Sequence, residues 1–182
     1  MPYRLTKIYT RKGDLGYTSL RGQRLSKDDV LVEAIGDLDE LNAHIGLIFA
    51  TKPPPDIAEC LTQIQNDLFD LGGELHAPEY ISITADKITH LEQTLDNWNS
   101  NLPPLEEFLL PRGNLSVTAT HIARTVCRRA ERTLVKLHRH GPLANLEMIR
   151  YLNRLSDLLF VMARTLSQIT DEPEVLWEHE RK

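Results

Sequence analysis

The sequence predicts an all-α fold: a bundle of about five helices behind a non-helical amino-terminal arm. Two observations predict the bundle. Apolar residues recur at three- and four-residue steps over most of the chain after residue 28. Proline and glycine clusters interrupt that pattern at Pro53-Pro54-Pro55, Pro103-Pro104, Pro111-Arg112-Gly113 and Gly141-Pro142, leaving segments of helical length with short connections. A third observation predicts the arm. Before residue 28 the periodicity is absent, and the stretch from Thr10 to Gly22 mixes three glycines with hydroxyls and basic side chains.

The chain reads as one domain of 182 residues, with an arm over 1–27, a bundle over 28–170 and a charged, mobile tail over 171–182, anchored if anywhere at Trp177. Ser26 to Asp29 offers N-cap chemistry for a first helix with Val32, Ile35, Leu38, Leu41, Ile45 and Ile48 inward. The second carries Ile57, Leu61, Ile64, Leu68, Leu71 and Leu75 in alternating steps of four and three. Gly72-Gly73 in its last turns predicts either close packing or an early end. A loop over 76–84 precedes a third helix near 85–99, with Ile88, Leu91, Leu95 and Trp98 inward. The fourth runs over about 115–140 and the fifth over about 143–170, with Leu146, Ile149, Leu152, Leu155, Leu159, Met162, Leu166 and Ile169 inward.

Composition narrows the function classes. A net charge of -5 is the wrong sign for general nucleic-acid binding, so any anion site must be a local basic cluster. No apolar run approaches the ~20 residues of a membrane span, and no apolar signal region opens the chain. Cys60 and Cys127 sit inside helical patterns and read as core residues in a reducing compartment. A cytoplasmic protein is the expectation. There is no P-loop, no dinucleotide fingerprint, no HExxH and no paired ExxH, and no nucleophile–base arrangement is evident.

One stretch is unusual. From His121 to Leu137 the chain reads HIARTVCRRAERTLVKL, with Arg124, Arg128 and Arg132 every fourth residue and Glu131 beside them. That spacing stacks guanidinium groups on one helix face, while Ile122, Ala123, Val126, Ala130, Leu134 and Leu137 fall on roughly the other. Such a ladder is either a solvated face or a wall for a polyanion, whose phosphate oxygens an arginine fork grips in pairs. His121 reads as a surface or capping residue. Three more features belong to the same question. In the arm, Gly13 and Gly16 allow close backbone approach to phosphate, among Thr10, Arg11, Lys12, Thr18, Ser19 and Lys27. The segment GDLDELN supplies Asp37, Asp39 and Glu40, of which Asp39 can pair an arginine. Asn153 interrupts an apolar run and calls for a partner, either across the helices or on a ligand.

TRKGDLGYTSL, EAIGDLDELNAHIG, FLLPRG, HIARTVCRRAER and YLNRLSDLLFVMAR, in this order, resemble the PduO-type ATP:cob(I)alamin adenosyltransferases. The resemblance implies a homotrimer of five-helix bundles in a ferritin-like up-down arrangement, with active sites between subunits. It implies transfer of the 5′-deoxyadenosyl group of ATP to the cobalt of cob(I)alamin, with Mg²⁺ held mainly by ATP. By motif position, Thr10, Arg11, Lys12, Gly13, Thr18, Lys27, Arg128, Arg129, Glu131, Arg132 and Asn153 are implied to bind ATP, with Arg128, Glu131 and Asn153 catalytic. Arg124 is implied to pair with Asp39 of a neighbouring subunit, and Phe108 to occupy the lower face of cobalamin. A reductase and an adenosylcobalamin-dependent enzyme are the implied protein partners. Two departures stand out: the connector has Arg112 where the family usually has glycine, and Trp177 lies where the tail often helps close the corrin site. A nucleotide-responsive cobalamin carrier without turnover is the competing reading, and a purely structural trimer a third.

Overall fold

The computed structural model describes residues 9–179, so residues 1–8 of the arm and 180–182 of the tail lie outside it. Five helices follow a small hairpin: α1 (Val30–Ala50), α2 (Pro55–His76), α3 (Ala85–Asn99), α4 (Leu115–His140) and α5 (Glu147–Ile169). Side-chain pairs give their directions. Asn42 Nδ2 donates to the Gln65 carbonyl 3.1 Å away, setting α2 antiparallel to α1. Lys136 and Thr133 of α4 reach Glu33 and Asp37 of α1, so α4 also opposes α1. Cys127 Sγ donates to the Leu152 carbonyl, and the ring of His121 lies near that of Phe160, which reverses α5 against α4. α1 therefore runs against both α2 and α4, and α4 against α5.

Local chemistry accounts for the ends. Asp29 accepts from the Leu31 amide at 2.8 Å and Asn114 from the Val117 amide at 3.1 Å, capping α1 and α4. Proline opens α2 at its first position, where no amide proton is needed. The core draws on all five helices, with Leu41, Ile45, Leu61, Leu71, Leu134, Leu155 and Leu159 fully buried.

A polar cluster is buried with them. Asp67 accepts from Tyr151 Oη at 2.9 Å, Lys87 Nζ at 2.7 Å and Gln63 Nε2 at 2.9 Å, joining α2, α3 and α5. Glu74 accepts from the Ile83 amide at 2.9 Å and from Asn145 Nδ2 at 2.8 Å, pinning the loop before α3 and the turn before α5. Each buried acid is thus satisfied by donors from other elements, as low-dielectric burial demands.

The structure corrects several expectations. The arm contains an antiparallel hairpin, β1 (Tyr17–Leu20) and β2 (Gln23–Ser26). Its two-residue turn puts Arg21 and Gly22 at φ 52° and 72°, the left-handed pair that suits strand twist. The hairpin signal is weak in sequence because only one of the two turn residues is glycine. α1 buries Leu31 and Ala34, leaving Val32 and Ile35 half-buried. Gly72 and Gly73 neither end α2 nor pack closely: the helix continues to His76, and a β-carbon at either would meet nothing within 4 Å. α5 begins at Glu147, four residues later than its periodicity suggests, because Asn145 Oδ1 caps the Glu147 amide. Leu146 is therefore exposed, not inward, and Ile169, at the last position of the helix, is exposed as well.

The tail is tied down. Leu176 pairs with Leu109 in an antiparallel bridge, the Leu110 amide donates to Val175 and the Trp177 amide donates to Phe108. Arg164, almost fully buried, donates to Glu174 at 2.7 Å and to the Pro103 carbonyl at 2.8 Å. Nothing in a charged segment announces that clasp. Arg112 needs no glycine-like backbone either, since the positive φ of the connector falls on Gly113, where a β-carbon would press on Val117 at 3.0 Å.

Leu155→Ala should destabilise the protein by about 2–5 kcal/mol, whereas Leu146→Ala should change stability by less than about 0.5 kcal/mol. Urea unfolding of the two variants checks the difference.

Candidate active site

The outward face of α4 organises the site. Ala119, Ala123, Val126, Cys127, Ala130 and Leu134 are buried, which turns Arg124, Arg128 and Arg132 away from the core. His121, Arg124, Arg128 and Arg132 follow at three- and four-residue steps and stand in line. At 1.5 Å per residue the line is about 16 Å long. Ile122, expected on the apolar face, is instead 45% exposed.

At the carboxy-terminal end of this line lies an open groove of about 580 Å³, lined by Arg128, Glu131, Arg132, Val135, Lys136, Arg139 and His140. Its charges are unbalanced. Lys136 is paired with Glu33 at 2.9 Å. Arg128 and Arg132 have no ion-pair partner among the described residues. Glu131 is the sole carboxylate of the lining, and its Oε1 accepts from Asn153 Nδ2 at 3.1 Å. Asn153 is exposed, so its partner is a residue of the groove wall, not of the bundle interior.

Arg129 does not join the groove. Its Nε donates to Asp37 at 3.0 Å and its Nη2 to Glu40, while Thr133 Oγ1 donates to Asp37 at 2.6 Å. The acidic segment of α1 is thus largely consumed by α4. Asp39 is the exception: it is exposed, with no ion-pair partner among the described residues.

The arm lies at the end of the bundle where α2 and α4 finish. Arg21 Nε and Nη2 donate to the Leu75 carbonyl at 2.8 and 2.6 Å, a guanidinium on the negative end of α2. Between Gly13 and Lys27 the chain closes on itself, with the Gly16 amide donating to Gly13 at 3.1 Å and the Lys27 amide to Gly16 at 2.8 Å. A β-carbon at Gly13 would stand 3.2 Å from Lys27 Nζ, so glycine admits the ammonium there. Thr18 sits in β1 opposite Leu25. Thr10, Arg11 and Lys12 are exposed, and none of these six arm residues lines the groove.

At the other end of the arginine line is a cavity of about 640 Å³, lined by Leu105, Glu106, Glu107, Phe108, Leu109, His121, Arg124 and Phe160. Phe108 is 74% exposed at its rim, with the ring of Trp177 6.3 Å away and that of His179 4.0 Å beyond. Glu107 accepts from the Phe108 amide and holds His179 at 2.5 Å. The Phe108 amide first, and His179 second, hold its carboxyl below the usual range.

His121 is not the surface or capping residue its sequence context suggests. It is 6% exposed, and its Nδ1 has no hydrogen-bond partner among the described residues. Burial, and after it the charge of Arg124, pushes its pKa down to about 4, so the imidazole is neutral at pH 7. Arg124 Nε is likewise buried and has no hydrogen-bond partner among the described residues, and its guanidinium lies 6.0 Å from the Phe160 ring. Burial, then Arg128, lowers its pKa. His121 could have been found from its position three residues before Arg124; Phe160 and the role of Glu107 carry no comparable signal.

A family profile described as cobalamin adenosyltransferase matches residues 8–166. The chain is 50% identical to a cobalamin adenosyltransferase of Cupriavidus metallidurans, with all of both chains aligned. It is 42% identical to a corrinoid adenosyltransferase of Mycobacterium leprae over 97% of this chain and 98% of that one. Its fold resembles that of a variant PduO-type ATP:corrinoid adenosyltransferase from Lactobacillus reuteri complexed with cobalamin and ATP, at a TM-score of 0.88 and 33% identity, covering 95% of this chain and 100% of the other. The chain belongs to the cobalamin adenosyltransferase family, and its five helices are those of the PduO-type structures. Among the described residues no helix is long and apolar enough to cross a membrane.

His121 sets an acid limit on stability. Its folded-state pKa lies below the ordinary 6.5, so the unfolded chain binds its proton first on acidification. Its contribution is complete above pH 6.5 and lost as pH falls toward 4. Thermal unfolding midpoints should therefore drop more steeply over that window in the wild type than in His121→Phe.

Proposed function

We propose that the chain transfers the 5′-deoxyadenosyl group of ATP to the cobalt of cob(I)alamin and releases triphosphate. The observation that carries this is the unbalanced groove: Arg128 and Arg132 face it without counter-ions, one helical turn from a cavity rimmed by an exposed phenylalanine. A triphosphate supplies the missing charge, and a corrin suits the apolar cavity.

No activated side chain is needed. The cobalt lone pair attacks C5′ of ATP, the Co–C bond forms, and the C5′–O bond breaks with its electrons leaving on the triphosphate. The chain's work is alignment and charge stabilisation. Arg128 and Arg132 bind the leaving oxygens, and Asn153 orients Glu131 at the groove edge. No group of three or more His, Cys, Asp or Glu among the described residues could hold a metal. A single carboxylate beside a phosphate groove fits Mg²⁺ bound chiefly by the nucleotide, with Glu131 as its one protein neighbour. Magnesium would neutralise phosphate charge there. Phe108, standing under the corrin, displaces the lower axial ligand, which withdraws electron donation and eases formation of the cobalt(I) state. Arg129 acts from behind, holding α1 against the wall.

The arm and Asp39 point to a second copy. Thr10, Arg11, Lys12, Gly13, Thr18 and Lys27 carry phosphate-binding chemistry away from their own groove, and Asp39 and Arg124 each lack an ionic partner among the described residues. In a homotrimer the arm of one subunit covers the nucleotide on the next, and Asp39 meets the neighbouring Arg124.

Anaerobic incubation with ATP, Mg²⁺ and reduced cobalamin should produce the visible spectrum of the Co–C product. Arg128→Ala should abolish it with the fold intact. Nucleotide binding without product would mark a carrier instead, and absence of nucleotide binding would end both readings.

Asp39→Ala and Arg124→Ala should each shift the assembly toward smaller species on dilution. Sedimentation at several concentrations reads this, and unchanged sedimentation would remove the pair from the interface.

A further inference from the structure

A ring on a loop is a poor tool for displacing a metal ligand, because a ring that can retreat yields to the group it must exclude. Phe108 is mostly exposed and is carried by the connector before α4. Its backbone, however, is held at both polar groups. The Phe108 amide donates to Glu107 Oε1 at 2.8 Å, and its carbonyl accepts from the Trp177 amide at 2.7 Å. Beside it Leu109 bridges Leu176, and the Leu110 amide donates to the Val175 carbonyl at 2.8 Å. Glu107 is held in turn by His179. The tail therefore sets where Phe108 stands.

The tail is itself fixed to α5. Arg164, almost fully buried, donates to Glu174 from Nε at 2.7 Å and from Nη2 at 3.2 Å, one bond to each carboxylate oxygen. The same Nη2 donates to the Pro103 carbonyl at 2.8 Å, so one guanidinium holds both the start of the connector and the start of the tail strand. The space that Arg164 and Glu174 enclose with Leu109, Leu110, Val117 and Ala163 is about 10 Å³, room for no more than one water. A buried guanidinium stripped of its carboxylate is costly, so the pair resists separation.

We propose that Arg164 and Glu174 are positioning residues for the cobalamin step: they fix the tail strand, and through it the backbone of Phe108, so that the ring keeps its place against the lower axial ligand. This rests on the adenosyltransferase reading and deepens it. Neither residue lines the cavity, so both act through Phe108 and not on the corrin. A rigid support matters here because a misplacement of about 1 Å at a reacting centre can cost about 10²-fold in rate.

The test is a double-mutant cycle in the full-length protein: wild type, Glu174→Ala, Phe108→Ala and the double variant, each with ATP and Mg²⁺. Electron paramagnetic resonance of bound cob(II)alamin reads the fraction lacking a lower ligand, and the anaerobic assay, started from cob(II)alamin with a chemical reductant, reads turnover. Glu174→Ala should lose most of the ligand-free fraction and about tenfold in turnover, with the KM for ATP unchanged, and should add nothing to the loss in Phe108→Ala. A wild-type resonance and wild-type turnover in Glu174→Ala would overturn the proposal while leaving the adenosyltransferase reading intact. Equal fold-losses in the two backgrounds would overturn it too, since the effect would then bypass Phe108. A wild type that makes no Co–C product even from cob(I)alamin would fell the parent reading and this one together. If Glu174→Ala does not fold, Trp177→Pro set against Trp177→Ala decides, because proline lacks the amide that donates to Phe108 and alanine keeps it. The proline variant should show the smaller ligand-free fraction, and equal fractions would overturn the assignment.

Discussion

Ala119, Ala123, Cys127 and Ala130 press α4 against its neighbours, and the smallness of these side chains lets the helices approach closely. Everything that faces a ligand depends on that contact. A helix buried along one stripe must turn the opposite stripe outward, and its 3.6-residue period then sets the arginines in a row. The cavity around Phe108 and the anion groove are two stations on this row. The groove takes its wall from α4, whereas the cavity adds the connector residues Leu105 to Leu109 to the face of the helix.

The same row shows how an acidic protein keeps a cationic site. The guanidinium of Arg129 is drawn onto α1 by Asp37 and Glu40, whereas Arg128, its immediate neighbour, turns 100° away and meets no carboxylate among the described residues. Neutralisation is therefore residue by residue. Asp37 and Glu40 hold the wall upright, and the charge they cancel is not the charge the groove presents. Surface pairs such as these add little stability by themselves, but they decide which arginines remain available.

Much of this was legible from sequence. α2, α3 and α4 are written in periodic apolar residues with strong breakers at their ends, and all six apolar positions expected to point inward from α2 are buried. The arginine spacing identified the wall of the groove, and three of its residues, Arg128, Glu131 and Arg132, meet there. What escaped was held by contacts distant in sequence. The start of α5 depends on an asparagine cap, and the docking of the tail on a buried Arg164 that its sequence context does not distinguish from a surface one. Arg129 could not be separated from Arg128 by composition, because only the place of α1 distinguishes them. His121 was misjudged because a histidine beside arginines looks solvated until the Phe160 ring is placed beside it.

The clasp between tail and connector has a consequence for how a bulky substrate enters. Leu110 bonds Val175 and Trp177 bonds Phe108, residues far apart along the chain, so the connector and the tail are each the other's edge. Neither can peel away alone without exposing the backbone groups of its mate. Segments so joined open as a unit, at a free energy below that of unfolding the bundle. The connector that lines the cavity is therefore backed by a second strand of chain, and the lining holds its shape only while the tail stays docked.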